Sequence, residues 1–223
     1  MTALPRRMVV IAPHPDDETL GAGGTIARFA SQGVEVSVLV VSGHLPPLYP
    51  QEAFDTTRRE AEAAFASLGV ARHEFLQVPA TLVHATPVAE LNGRISRFVR
   101  DMAPDWVLLP FPDRHIDHRW IFDASVVACR PVHPGAPTTV LAYETLSETH
   151  WNVGGIEPTF NPDLFVDVTE FMDRKIEALN CYASQVHNAP SRSLEATRAL
   201  AKFRGSQNGC GYAEAYKVVR IVI

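Results

Sequence analysis

A chain of 223 residues with 46% hydrophobic content lies near the usual one-domain range and can build a sizeable buried core. The 20 Lys+Arg and 25 Asp+Glu give a formal net charge of -5 with no long run of one sign, so the basic stripe that marks a nucleic-acid partner is missing. No apolar stretch approaches the roughly 20 residues that cross a bilayer, and Met8 to Ile11 leads at once into polar residues without a signal peptide's cleavage region, which predicts a cytoplasmic protein.

Short apolar, β-branched runs alternate with longer segments of helical period, the pattern of an α/β fold with a mostly parallel sheet covered by helices on both faces. In chain order the expected elements are a strand at Met8 to Ala12, a helix at Leu20 to Ser31, a strand at Val34 to Val41 and a helix at Glu52 to Leu68. A strand at His73 to Gln77 then precedes a helix at Val88 to Asp101. After these come a strand at Trp106 to Pro110, a helix at Arg119 to Cys129 and a strand at Thr138 to Tyr143. The last part reads as strands near Leu164 to Val168 and Lys217 to Ile223, with helices at Phe171 to Ala183 and Leu194 to Phe203. Gly33 and Gly69 stand where helices end, and residues 43–51, 131–137 and 148–163 read as loops. Neither a repeat nor a linker divides the chain, so residues 1–223 read as one domain. Cys129, Cys181 and Cys210 are widely spaced and lack a CxxC pair, which suggests buried, reduced thiols.

The chemistry gathers at two places, each following an apolar strand. Val9-Val10-Ile11-Ala12 runs into Pro13-His14-Pro15-Asp16-Asp17-Glu18 and then Gly21, Gly23 and Gly24. Ligands bind at the carboxyl edge of open parallel sheets. An imidazole beside adjacent, mutually repelling carboxylates there suits a divalent cation such as Zn²⁺ or Fe²⁺. The plainer alternative is that Asp16 or Asp17 caps the following helix. The glycines do not complete GxGxxG and follow acidic residues, so close packing of helix on sheet is their expected role rather than phosphate binding.

The second place is Trp106-Val107-Leu108-Leu109-Pro110 followed by Phe111-Pro112-Asp113-Arg114-His115-Ile116-Asp117-His118. A parallel sheet brings both clusters to one edge, where His118 can complete a His-Asp-His set with an open position, as catalytic metal sites require. His115 is then left to act on substrate, and Asp117 can orient it as an outer carboxylate. His44, His73, His84, His133, His150 and His187 lack partner spacing and are assigned no metal.

Together these residues resemble the LmbE-like, or PIG-L, deacetylases, marked by His14-Pro15-Asp16-Asp17-Glu18 and by His115-Ile116-Asp117-His118. The likeness extends through Leu68-Gly69-Val70, Tyr143-Glu144 with Ser147, Thr149 and Trp151, Tyr182-Ala183-Ser184-Gln185, and Ala213-Glu214-Ala215-Tyr216. It implies a Rossmann-like fold and hydrolysis of N-acetyl groups on glucosamine-containing molecules, with His14, Asp17 and His118 as ligands to zinc, Fe²⁺ or another divalent metal. It further implies Asp16 as the general base that activates a water whose pKa the metal lowers to about 7. A protonated His115, held by Asp117, would share the oxyanion with the metal. Either Asp16 or His115 could protonate the leaving amine. A homo-oligomer is compatible with the resemblance.

The match has departures. Thr57 stands where relatives often carry Arg, followed by Arg58 and Arg59, and Asp113 replaces a Tyr of one branch. Arg58 and Arg114 are therefore candidate substrate contacts, the latter for a sugar hydroxyl or an acidic substituent. The alternative role for Arg114 is a salt bridge with Asp113 or Asp117. Two other readings compete with the deacetylase: an amidase that uses the same site on a larger conjugate, and a non-catalytic sugar- or nucleotide-binding protein.

Overall fold

The computed structural model describes residues 4–186 and 190–222; His187 and Ile223 lie outside the described residues. Seven strands pair into one sheet: β1 (Arg7–Ala12), β2 (Glu35–Gly43), β3 (Arg72–Pro79), β4 (Trp106–Pro110), β5 (Thr139–Tyr143), β6 (Leu164–Asp167) and β7 (Ala213–Ile221). Their order is β3-β2-β1-β4-β5-β7-β6. The first five are mutually parallel, while β7 runs antiparallel to both β5 and β6. The helices between them are α1 (Asp17–Ser31), α2 (Gln51–Leu68), α3 (Val88–Met102), α4 (Ile116–Ala128), α5 (Met172–Asn180) and α6 (Leu194–Ser206).

Strand β1 is central because it is apolar on both faces. Met8, Val10 and Ala12 join a cluster with Ala22 and Ile26 of α1 and Ala61 and Phe65 of α2. Val9 and Ile11 instead join Leu91 and Ile95 of α3 and Ile121 and Ala124 of α4. Continuous apolar runs of this kind are what a sheet covered on both sides demands. Neighbouring strands β1 and β4 therefore send their helices, α1 and α4, to opposite faces. The crevice between their carboxyl ends is the topological switch point at which open α/β sheets bind ligands.

Two boundaries differ from the sequence expectation in a way that matters. Helices α1 and α4 each begin three residues early, at Asp17 and Ile116, so Asp17, Glu18 and Asp117 lie in first turns. Carboxylates are favoured there by the positive end of the helix dipole, which polarity alone had suggested were loop residues. Gly33 and Gly69 do end α1 and α2 with left-handed φ values of 84° and 83°.

The glycines of α1 serve packing. A Cβ on Gly21 would lie 2.2 Å from Cδ2 of the buried Tyr143 ring, and one on Gly24 would lie 2.8 Å from Val168 Cβ. Beneath them Lys175 Nζ and Glu214 Oε1 form a buried ion pair at 2.6 Å. Glu214 accepts from the backbone N–H groups of Gly24 and Thr25 at 2.8 and 2.7 Å, and Lys175 donates to the Leu20 carbonyl at 2.7 Å. These bonds offset the desolvation that makes an isolated buried charge costly.

All three cysteines are free, but only Cys129 is buried; Cys181 and Cys210 are half-exposed, contrary to the expectation of three buried thiols. Burial pushes the Cys129 thiol up to about 12. Among the described residues no helix is long and apolar enough to cross a membrane.

Gly21→Ala should lose about 1–3 kcal/mol of stability, the usual cost of overpacking a filled core. Chemical denaturation measures it, and an unchanged midpoint would show that Tyr143 can yield.

Candidate active site

The turn from β1 into α1 aims two adjacent carboxylates in different directions. Asp16 adopts φ 116°, a sparsely populated backbone region that costs on the order of 1–3 kcal/mol and is held only where the surroundings over-determine it. Its carbonyl accepts from Thr19 and Leu20 at 3.0 and 2.8 Å, whereas its side chain makes no capping bond. The capping alternative for Asp16 thus fails. Asp17 turns the other way, and its Oδ2 accepts from the backbone N–H of His14 at 3.0 Å.

The parallel pairing of β1 with β4 brings the second motif alongside. Asp17 Oδ2 lies 3.1 Å from His14 Nδ1 and 3.3 Å from His118 Nε2. Tetrahedral donors bound at about 2.0–2.1 Å are separated by roughly this amount. His118 Nε2 is buried and, among the described residues, has no hydrogen-bond partner. An orphaned imidazole nitrogen directed at a carboxylate and a second imidazole fits a divalent metal held by His14, Asp17 and His118. A nitrogen of His115 also lies within 4.8 Å of those of His14 and His118, close enough to be counted with them as a donor.

Carboxylates behind the His14 and His118 rings fix both of them. His118 Nδ1 lies 3.0 Å from Asp113 Oδ2, which also accepts from Thr149 Oγ1 at 2.8 Å. His14 Nε2 lies 3.0 Å from Asp117 Oδ2, which accepts from the Thr81 backbone N–H at 2.7 Å. Thr81 takes φ 65° to deliver that bond, a strained backbone for a β-branched residue. Such partners set the tautomer and present the remaining nitrogen to a metal.

Asp117 therefore orients His14, not His115 as the sequence suggested. His115 is the N-cap of α4, and its Nδ1 accepts from the backbone N–H of Asp117 at 3.2 Å. The proton of the neutral ring must then sit on Nε2. Burial, with the positive charge of His14 and His118, brings the His115 pKa down to about 4. A ring that accepts that N–H at Nδ1 offers the cavity a neutral N–H donor, where the resemblance implied a protonated His115.

The other ionisable groups divide sharply. Burial would lower His14 and His118, but hydrogen bonds to Asp117 and Asp17 raise His14 to about 9, and the Asp17 charge with the Asp113 bond raises His118 to about 10. Asp17 is buried too, yet the His118 charge holds its carboxyl well below the usual range. Asp16 is raised well above that range by burial and by the Asp17 charge, with Arg192 pulling the other way. Neighbouring carboxylates driven apart in this manner commonly take different roles, one as ligand and one as base.

A cavity of about 80 Å³ opens above these groups, lined by His14, Asp16, His44, Tyr49, Ala80, Thr81, His115, Gln185 and Arg192. His44, which the sequence gave no role, stacks on Tyr49 with ring centroids 4.5 Å apart. Neither arginine expected to contact substrate lines it. Arg58 is exposed and pairs with Glu62 at 3.6 Å along α2, and Arg114 is exposed and pairs with neither Asp113 nor Asp117. The Asp113 carboxylate is instead taken by His118, by Thr149 and by the His115 backbone N–H at 3.0 Å.

The PIG-L family profile, described as GlcNAc-PI de-N-acetylase, matches residues 9–129, which contain both motifs. This chain belongs to the PIG-L family. The 1D-myo-inositol 2-acetamido-2-deoxy-alpha-D-glucopyranoside deacetylase of Rhodococcus erythropolis is 30% identical over 86% of this chain and 85% of its own length. The diacetylchitobiose deacetylase of Thermococcus kodakarensis is 28% identical over 96% and 83%. Among solved structures, the 4-carboxy-2-hydroxymuconate hydratase of Pseudomonas putida has a TM-score of 0.78 at 22% identity, covering 98% of both chains. A PIG-L fold alone therefore does not name a reaction.

Asp113→Ala and Asp117→Ala should each weaken metal retention about 10- to 100-fold by releasing a ligand ring. The metal-to-protein ratio against increasing chelator tests this, and wild-type retention in both variants would reject the outer-carboxylate roles.

Proposed function

We propose that this chain is a zinc-dependent N-deacetylase that hydrolyses the acetamide of a GlcNAc-like amino sugar or sugar conjugate, and that residues 1–223 act as one domain for it. The single-domain reading rests on β6 and β7 completing the same sheet that carries both motifs. The observation that carries the activity is the pairing of two buried atoms without hydrogen-bond partners among the described residues, His118 Nε2 and Asp16 Oδ2. One suits a metal and the other a proton. The two relatives named above both act on N-acetylated glucosamine compounds by name, which supports the substrate class. The cavity of about 80 Å³ lined by His14, Asp16 and His115 gives a small acyl group room beside the residues that would act on it.

His14, Asp17 and His118 would hold the metal, which when bound supplies a Lewis acid that polarises the amide carbonyl and makes a water more acidic. Asp16, raised and aimed into the cavity, takes a proton from the attacking water as the oxygen–carbon bond forms. His115 donates from Nε2 to the carbonyl oxygen as negative charge develops there, the role of a preorganised oxyanion donor. Asp16 then returns its proton to the departing nitrogen as the carbon–nitrogen bond breaks, leaving acetate and a free amine. Asp117 and Asp113 take no proton; they hold His14 and His118 in place.

Purified protein should release free amine from at least one member of a panel of N-acetylated amino sugars and their conjugates. It should lose that activity to a chelator and regain it with Zn²⁺; restoration by Fe²⁺ alone would replace the metal, and no release across the panel would reject the reading. Asp16→Asn should keep the metal and lose about 10²- to 10⁴-fold in kcat, and near-wild-type kcat would exclude Asp16 as the base. His118→Ala should lower the metal-to-protein ratio, and an unchanged ratio would reject that ligand.

A further inference from the structure

Both sequence candidates for substrate recognition, Arg58 and Arg114, stand outside the cavity, yet a cation does line it: Arg192, from the short helical turn Pro190–Arg192. Its guanidinium is held by acceptors on the segment after β5. Nε donates to Ser147 Oγ at 2.9 Å and Nη2 to Glu148 Oε1 at 3.3 Å. Nη1 lies 3.7 Å from Asp16 Oδ2, beyond hydrogen-bond reach, and makes no hydrogen bond among the described residues. Three of its five N–H donors, two of them on Nη1, thus have no partner among the described residues, on a planar group fixed at its other edge next to the carboxylate read above as the base. Thr57 cannot supply a donor in their stead, because it is buried in α2 and its Oγ1 bonds the Phe54 carbonyl.

We propose that Arg192 is a specificity-determining residue that donates through Nη1 to a hydroxyl oxygen of the sugar ring whose acetamide is cleaved; this rests on the deacetylase reading above. Charge selects the ligand class. The positive charge of Arg192 already faces Glu148 at 3.3 Å and Asp16 at 3.7 Å, so a phosphate or carboxylate brought to Nη1 would meet the repulsion of those two carboxyl groups. A neutral hydroxyl accepts the same hydrogen bond without that repulsion. Gln185 and Tyr49 line the same cavity and extend its polar wall. An arginine anchored on two side-chain acceptors loses little rotamer freedom on binding, since its fork is held before substrate arrives.

The test uses Arg192→Met and Arg192→Lys on the amino sugar that wild type turns over fastest, together with analogues of that sugar lacking one ring hydroxyl at a time. Binding of N-acetylglucosamine by titration calorimetry gives a readout independent of turnover. Arg192→Met should raise KM, and weaken binding, about 10- to 100-fold, the range for losing a hydrogen bond to a charged group, with a much smaller fall in kcat. Arg192→Lys should recover part of the loss, and one deoxy analogue should be penalised in wild type but not in Arg192→Met. Unchanged KM and binding in Arg192→Met would overturn the proposal. So would an equal deoxy penalty in both proteins, or a fall in kcat with a displaced pH profile at constant KM, which would make Arg192 a positioning residue acting through Asp16. Should Arg192→Met fail to fold, Arg192→Lys and the analogues on wild type decide the matter. If wild type hydrolyses its sugar while the Arg192 variants match it, only this assignment falls. If wild type neither hydrolyses nor binds any of the sugars, the deacetylase reading falls with it.

Discussion

Burial of negative charge is the constraint on which the rest of the molecule depends. Asp16, Asp17, Glu18, Asp113 and Asp117 are all buried at the end of two neighbouring strands, where removing carboxylates from water is expensive unless each finds a partner. The protein answers with His14, His118 and Arg192, with backbone N–H groups from Thr81 and His115, and with the hydroxyls of Thr19, Thr149 and Tyr182. What is left over among the described residues is one imidazole nitrogen, on His118, and two carboxylate oxygens, on Asp16 and Asp117. Local strain follows from the same demand: Asp16 and Thr81 hold left-handed backbones that point a carboxylate into the cavity and an N–H at Asp117.

The scaffold makes this concentration of charge tolerable because strong apolar layers surround it. Strand β1 contributes residues to the clusters on both faces, so the charged turn that follows it is anchored by a strand buried from Met8 to Ala12. The division of α1 and α4 between the two faces opens the crevice, and Gly21 lets α1 approach Tyr143, whose hydroxyl donates to the Ile11 carbonyl at 2.8 Å.

Short-range features were legible in the sequence and long-range ones were not. His14, Asp16 and Asp17 fall within four residues, and the apolar runs before each motif disclosed the two strands, so the meeting of His14, Asp17 and His118 required only that the sheet be parallel. Asp117 misled because it lies two residues from His115; on a helix such residues do not face each other, and its carboxylate reached His14 instead. Arg58 could have been set aside by periodicity, since Phe54, Thr57, Ala61, Ala64, Phe65 and Leu68 form the buried face of α2 and Arg58 and Glu62 fall outside it. Thr81, His44 and Arg192 carried no local signal. Thr81 meets Asp117 and Arg192 meets Asp16 across 36 and 176 residues of chain, and only the strand order β3-β2-β1-β4-β5 brings them, with His44, to one edge.

The separation of Arg192 from the two motifs along the chain bears on how such a protein can diversify. The groups proposed to hold the metal and move protons come from residues 14–118, inside the stretch matched by the family profile, whereas Ser147, Glu148, Gln185 and Arg192 follow it on loops and a short turn. Loops accept substitution and changes of length more readily than buried strands. Changes in that later region can exchange one substrate for another while the hydrolytic apparatus is inherited intact, so recognition and chemistry are free to drift at different rates.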